Sequence, residues 1–365
     1  MKDRALFQKN LLAWYRESNR PLPWRRTRDP YAIWISEILL QQTRVNTAIG
    51  YYERFLARFP TLTDLAEAPI EAVLQVWQGL GYYGRARNLH RAARLLRDEF
   101  KGRIPCEPEA LEKLPGIGPY TAAAIASIAF DKNVAVLDGN VTRVLCRVAG
   151  VEEAPNLPST QRRLKEIADS LLPEGRAAVF NQAVMELGAM VCKPIRPDCP
   201  ACPVMAVCVA RKKGMVARLP LRLPKPKIPV RIRVVTAIEY RGRFLFERRT
   251  LEGFLGGLWE LPGVYLQGRE GNRQGLRRLK KQVGRRLSIQ RIPDQGDFSV
   301  KHVYSHFEES NRVFLCEGSG GPNTGRRGDT EQTYRWIHPT RLEPYPITGA
   351  TRKILRKLEQ KEAEP

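Results

Sequence analysis

No stretch of this chain reaches the roughly 18 consecutive apolar residues that a bilayer-spanning helix needs, and Met1 to Asn10 holds no apolar core of the signal-peptide kind. A membrane location is therefore not expected, and the protein is read as soluble and intracellular. Cysteine is too unevenly supplied for a disulfide framework. There are seven, an odd number, which suits metal ligation plus free thiols in a reducing, cytoplasmic compartment. Acid is short as well: 38 Asp+Glu stand against 61 Lys+Arg, a formal net charge of +23. On a composition that otherwise looks folded, that surplus implies a polyanionic partner, most often nucleic acid. No internal repeat is visible. At 365 residues the chain is expected to form two domains, each able to bury its own core.

Cys106, Cys146 and Cys316 are scattered, but the other four cysteines are not. Cys192, Cys199, Cys202 and Cys208 stand at the spacing C-x6-C-x2-C-x5-C within 17 residues, a ligand set for one metal centre. Thiolates serve both zinc and iron-sulfur clusters, so ligand chemistry leaves two candidates. Structural zinc commonly uses two short C-x2-C hooks a dozen or more residues apart, whereas one C-x2-C here is flanked by single cysteines. The spacing favours a four-iron four-sulfur cluster. Prolines 194, 197, 200 and 203 keep the segment out of long helix and let it wrap around such a centre.

Apolar periodicity predicts helices over Leu6–Tyr15, Ala32–Phe55, Ile70–Gln78, Ala86–Phe100, Tyr120–Phe130, Gly139–Val148 and Ala177–Met190. From about residue 211 to 230, bases and then prolines alternate in the manner of an extended linker. Beyond it, Val230–Glu239 and Arg243–Arg248 read as strands joined by a turn at Arg241-Gly242, followed by a Gly-rich loop, a helix near Gly275–Val283 and further strands. In the first half, Leu114 to Thr121 reads Leu-Pro-Gly-Ile-Gly-Pro-Tyr-Thr, a tight turn into an Ala-rich helix. Gly116 and Gly118 sit where a side chain would block close approach. Backbone N–H groups at a helix N-terminus can cradle a phosphate without reading sequence, although an ordinary interhelical turn would look the same.

That turn, followed about 70 residues later by the four-cysteine loop, resembles the helix-hairpin-helix DNA glycosylases that carry an iron-sulfur cluster, and among them the MutY-type adenine DNA glycosylases. The likeness covers residues 1 to about 215 closely and the remainder more weakly. It implies a multidomain chain. An all-α glycosylase domain would span 1–215, with the hairpin at about 111–125 and a 4Fe-4S loop at 192–208. A basic Pro-rich linker would cover 216–230 and an α+β Nudix-like lesion-recognition domain 231–360. The implied partner is double-stranded DNA with adenine opposite 8-oxoguanine or guanine, met by a monomer at the bacterial nucleoid. The implied reaction hydrolyses the N-glycosidic bond of that adenine and leaves an abasic site.

Cutting a base from its sugar requires a proton on the departing base and stabilisation of positive charge on the sugar, a task for two carboxylates. Helical spacing puts Trp34, Gln41 and Arg44 on the face of Glu37, among mostly apolar neighbours. If buried, Glu37 would have a raised pKa and could donate a proton. The residues alone do not separate it from an exposed helix glutamate. The resemblance does, placing it where the family carries the acid that protonates adenine and later helps water attack. Asp138, in Val136-Leu137-Asp138-Gly139-Asn140-Val141, reads by itself as an N-cap or turn aspartate. The resemblance makes it the carboxylate facing the sugar's anomeric carbon, and makes Asn140, otherwise a simple helix cap, an orienter of the catalytic carboxylates. Tyr120 stands where endonuclease III-type relatives place a Schiff-base lysine. Without that amine, β-elimination loses its electron sink, and a monofunctional enzyme is expected.

A base inside a duplex must be flipped out to be cut. By resemblance, Gln42 and Tyr82 insert near the unpaired partner base, and the hairpin around Gly116, Gly118 and Thr121 grips DNA. Trp24, Arg25, Gln182 and Glu186 would build the adenine pocket, against a structural tryptophan for Trp24 and helix packing for Glu186. Gly256 to Gly263 followed by a helix resembles the opening of a Nudix domain, whose magnesium needs clustered carboxylates. Gly263, Arg277 and Gly284 are in register, but Arg269, Arg278, Lys281 and Gln282 replace the acids. Recognition rather than pyrophosphate hydrolysis is expected there. Tyr304-Ser305-His306 is similar to the family's Phe-Ser-His loop, which contacts the oxidised base, with tyrosine in place of phenylalanine. Two other readings are a DNA-binding protein without chemistry and an endonuclease III-like lyase.

Overall fold

Local chemistry sets where the helices begin. Asp29 caps the helix Pro30–Leu40 (α2) by accepting from the amides of Tyr31 and Ala32 at 3.1 and 3.2 Å, and Pro30 occupies its first turn, where no N–H is needed. The computed structural model describes residues 3–223, 227–284, 296–318 and 333–363. Residues 224–226 of the expected linker, and 285–295 and 319–332 of the expected second domain, lie outside the described residues. The helices of the first part are α1 (Arg4–Ser18), α2 (Pro30–Leu40), α3 (Val45–Arg58), α4 (Leu62–Glu67), α5 (Ile70–Val76), α6 (Gly84–Glu99), α7 (Pro108–Leu111), α8 (Pro119–Phe130), α9 (Gly139–Ala149), α10 (Pro158–Leu171), α11 (Ala177–Met190) and α12 (Val209–Lys212). None of the described helices is long and apolar enough to cross a membrane.

The chain divides into two compact units, one comprising Met1–Glu67 with Asn88–Lys225 and the other Ala68–Arg87 with Pro226–Pro365. In the first, α11 packs on α9, α8 and α1, and α2 packs on α8 and α3. Their shared core includes Phe7, Leu11, Ile33, Ala124, Val144, Phe180 and Leu187. Tyr31 to Leu39 are all buried, so α2 has no solvent face and is a core helix.

One expectation fails here for a physical reason. The single helix expected over Ala32–Phe55 is two, because the polar run Gln41-Gln42-Thr43-Arg44 breaks the apolar period and Gln42 turns left-handed at φ 55. Arg44 therefore precedes α3 and does not share the helical face of Glu37. Helix α10 was missed although Thr160, Leu164, Ala168 and Leu171 form a buried stripe along it.

The second unit is built on a sheet of β1 (Val230–Tyr240), β2 (Arg243–Arg248), β3 (Trp259–Glu260), β4 (Gly263–Tyr265), β5 (Phe298–Val303), β6 (Glu308–Glu317) and β7 (Thr333–Ile337). The order is β3-β2-β1-β6-β5, with β4 also on β1 and β7 on β2. Strands β1 and β6 run parallel, and β1 pairs antiparallel with β2 through Tyr240 and Arg243. The intervening Arg241 and Gly242 have φ 52 and 73, the paired left-handed conformations that a two-residue type I′ hairpin demands. Alternation along β1 sends Val235 and Ala237 to one face, against Ile354, Leu355 and Leu358 of α14 (Gly349–Ala363). It sends Val234 and Ile238 to the other, against Leu276, Leu279 and Val283 of α13 (Asn272–Val283). The sheet is thus covered on both faces.

Candidate active site

A cavity of about 490 Å³ opens among α2, α8, α9 and α11, and Glu37, Tyr120, Asp138 and Asn140 all line it. Glu37 is 4 % exposed, and Tyr120 Oη donates to its Oε2 at 2.8 Å. Burial pushes the Glu37 carboxyl up to about 7, outweighing the Tyr120 hydrogen bond, with the nearby Asp138 charge adding to the rise. Asp138 is the N-cap of α9, accepting from the Val141 amide at 2.7 Å. Its other oxygen accepts from Asn140 Nδ2 at 2.8 Å. Burial raises its pKa too, opposed by those same hydrogen bonds. The two acids, a hundred residues apart in sequence, thus face one space in different settings: Glu37 is buried with a single donor, Tyr120, and Asp138 is held by the Val141 amide and Asn140.

Asn140 is itself fixed. Arg143 donates to Asn140 Oδ1 at 2.8 Å, to Gly188 O at 2.7 Å and to Cys192 O at 2.7 Å. A Cβ at Gly188 would meet the Asn140 Cβ at 2.6 Å, so only glycine lets α11 pass this close to α9. Neither Arg143 nor Gly188 was singled out by sequence reasoning, since nothing local marks either one.

Trp24, Arg25, Gln182 and Glu186 line the same cavity. Glu186 is 1 % exposed and is gripped by Arg20 at 2.6 Å and Arg25 at 2.8 Å. Burial alone would raise its pKa, but the hydrogen bonds from the two arginines hold it at about 2. Glu186 accordingly fixes two guanidinium groups at the cavity wall. Arg20 was not anticipated. Trp24 is both buried and cavity-lining, set edge-on to Tyr52, and Gln182 Oε1 accepts from Tyr15 Oη at 3.4 Å. Gln42 lies on the rim in the turn after α2, rather than on a helix face.

Cys192, Cys199, Cys202 and Cys208 line one small pocket with Val144, Val148, Leu187 and Val204. Arg147 donates to Cys192 Sγ at 3.3 Å and to Lys193 O at 2.8 Å. Burial raises the thiol pKa of Cys202 and Cys208, and the other cysteines of the loop add to the rise.

Residues 35–170 match the family model of the HhH-GPD superfamily base excision DNA repair proteins, and residues 233–357 match a NUDIX domain. The adenine DNA glycosylase of Rattus norvegicus is 36 % identical over 98 % of this chain and 79 % of its own length. That of Homo sapiens is 35 % identical over 96 % and 73 %. The chain belongs to the adenine DNA glycosylases of base excision repair. Among solved structures, a thermostable thymine-DNA glycosylase is 33 % identical over 58 % of this chain and 98 % of its own, with a TM-score of 0.54. A non-covalent endonuclease III–DNA complex, 23 % identical over 59 % of this chain and 97 % of that one, with a TM-score of 0.51, shares the fold.

An adenine DNA glycosylase needs surfaces for DNA besides its cleft. In the hairpin, Gly116 takes φ 79, and a Cβ there would strike the Asn88 Cβ at 2.7 Å, whereas one at Gly118 would meet nothing within 4 Å. Gly116 is thus required by packing inside the fold, and Gly118 faces open space. Thr121 Oγ1 accepts from Gln41 Nε2 at 3.2 Å, which ties the hairpin helix to α2. In the second unit, Tyr82, Tyr304, Ser305 and His306 line one cavity of about 700 Å³. Phe254 stacks edge-on against Tyr304 and His306, and Ser305 Oγ lies 3.2 Å from His306 Nδ1. Where a Nudix hydrolase needs acids, Arg278 bonds Glu270 and the Tyr265 carbonyl, and Gln282 bonds Glu247.

Proposed function

We propose that this enzyme excises adenine paired with 8-oxoguanine or guanine as a monofunctional glycosylase, with Glu37 as acid and then base and Asp138 as the carboxylate that meets the sugar. The observation that carries this reading is two carboxyls facing one cavity, since a buried acid near pH 7 can donate while hydrogen bonds from Val141 and Asn140 favour the charged form of its neighbour. Glu37 gives its proton to the departing adenine as the C1′–N9 bond breaks. The electron pair leaves with the base, and the oxocarbenium-like sugar is stabilised by, or briefly bonded to, Asp138. Glu37, now a carboxylate, takes a proton from the water that adds to C1′, which restores the acid and leaves an abasic site. Tyr120 keeps Glu37 oriented, and Asn140 does the same for Asp138. No amine stands at Tyr120 to form a Schiff base, so strand cleavage does not follow.

Trp24, Arg25 and Gln182 are the walls for the flipped adenine, with Glu186 anchoring Arg25. Tyr304, Ser305 and His306 are the reader of the oxidised partner base, with Tyr82 and Gln42 filling the emptied stack and the Gly116–Gly118 turn holding a phosphate. The same reading divides the chain into the catalytic domain at 1–215, the linker at 216–230 and the recognition domain at 231–360. The four cysteines are the ligands of a 4Fe-4S cluster. Four thiols lining one pocket suit a cluster that takes each thiolate on a different iron. When bound, the cluster would supply a structural cross-link or a DNA-sensing element rather than a catalytic group, for base hydrolysis transfers no electron.

The test is single-turnover cleavage of duplexes holding adenine opposite 8-oxoguanine, guanine or thymine, developed with and without alkali, for wild type and Glu37→Gln. Strand breaks that need alkali, occur only at the two purine mispairs and fall roughly 10²–10⁴-fold in Glu37→Gln are expected. Breakage without alkali would establish a lyase instead, and tight binding without any breakage would leave a recognition protein.

A further inference from the structure

Tyr82 is a bulky residue in a conformation that glycine usually takes: its φ is 49, and it follows Gly79 at 96 and Gly81 at 74. The residue is 44 % exposed. An exposed aromatic on a strained turn keeps one orientation only if something beneath it is rigid. That support is Arg85, whose Cζ lies 5.6 Å from the Tyr82 ring centroid and 5.1 Å from that of Trp77. Trp77 is fully buried. Its Nε1 donates to Gly81 O at 3.1 Å, and Arg85 Nη2 donates to the same carbonyl at 3.2 Å. The Arg85 amide closes the turn on Tyr82 O at 2.9 Å, and the Gly79 amide donates to Tyr83 Oη at 3.2 Å.

We infer that Arg85 is a positioning residue for mispair recognition: stacked between Trp77 and Tyr82, its guanidinium holds the Tyr82 ring ready to enter the duplex. The inference rests on the reading of Tyr82 as a DNA-inserting residue and adds the element that makes it rigid. A planar guanidinium can face two rings at once while donating in its own plane, which a lysine ammonium cannot do. Burial lowers its pKa to about 10, which leaves it charged at neutral pH. A ring fixed before contact loses little freedom on insertion, so the support acts on affinity for the mispair.

The experiment is a double-mutant cycle in the full-length protein. Affinity for a duplex with adenine opposite 8-oxoguanine is measured in a Glu37→Gln background, where the substrate survives, for Arg85→Met, Arg85→Lys, Tyr82→Ala and the Arg85→Met/Tyr82→Ala pair. Thermal melts of each variant establish that the fold is intact. Arg85→Met is expected to weaken binding roughly five- to thirtyfold, Arg85→Lys nearly as much, and neither melt should move with it. In the Tyr82→Ala background Arg85→Met should have no further effect. If the two losses simply multiply, or Arg85→Lys restores affinity, or the salt dependence falls by about one phosphate contact, Arg85 grips DNA by charge and the inference fails while Tyr82 keeps its role. Wild-type affinity in Tyr82→Ala alone would overturn both.

Discussion

Burying Glu37 stores a proton, and the stored proton has a cost that can be measured. Its carboxyl titrates at about 7 in the folded protein against 4.5 for an ordinary glutamate. Below pH 4.5 both states hold the proton and nothing is lost; between 4.5 and 7 the native state holds more protons than the unfolded one, so stability falls as pH rises. Above 7 the full deficit, on the order of 3 kcal/mol, applies. Glu37→Gln removes the titration, so the variant should melt higher than wild type at pH 8 and equally at pH 4; the same gap at both pH values would argue against the burial account. Excision should respond with the opposite merit. Single-turnover rates are expected to fall as pH rises past about 7, where Glu37 loses its proton, and again in acid as Asp138 gains one; a rate indifferent to pH between 6 and 9 would exclude Glu37 as the donor. Little of this was legible in the residues alone. Apolar neighbours made burial of Glu37 conceivable, but the resemblance chose it, and only the packing of α2 on all sides isolates it. Arg20 and Glu186, 166 positions apart, could not be paired by any local pattern.

Elements were more legible where one face is apolar and the ends are punctuated. Strands β1 and β2 and their Arg241-Gly242 turn follow from alternation and turn chemistry, and α11 from its apolar period. Helix α14 was not expected, because Arg, Lys, Glu and Gln crowd its sequence and only its packing against the sheet exposes the apolar stripe. Those charges have a use. Lys353, Lys357 and Lys361 each donate to a carbonyl of or beside β5, at Lys301, Ser299 and Asp297, all at 3.2 Å. Residues four apart on a helix rise roughly 6 Å, close to the nearly 7 Å between alternate residues of a strand, so one column of lysines keeps step with one edge of β5. Because β5 is the outer strand of the sheet path, this column covers the row of acceptors that another strand would use. Replacing all three lysines by alanine, which preserves helix propensity, should leave the helical circular dichroism signal intact while promoting self-association in light scattering at high protein concentration. A triple variant that scatters as wild type does would show that β5 needs no such cover.

At the scale of the whole molecule, the charge of +23 and the local geometry should answer to different variables. Attraction between a basic surface and phosphates releases counterions and falls steeply with salt, irrespective of sequence. Contacts inside the cleft, such as the Glu186 grip on Arg20 and Arg25, are shielded by protein and are screened far less. The sequence made the first term plain from composition alone, whereas the second depends on which of the many arginines turn inward, as Arg143 and Arg147 do at 9 % and 2 % exposure, and composition cannot say which. Raising salt from 50 to 200 mM should therefore weaken binding to matched and mispaired duplexes by a similar factor, about 10³–10⁵ if 6–10 phosphates are engaged. The ratio of the two affinities, and the excision rate once enzyme saturates the duplex, should hardly move. A ratio that collapses with salt in a filter-binding titration would mean that discrimination lies in the exposed charges, and that the cavities described above only cut what the surface has already chosen.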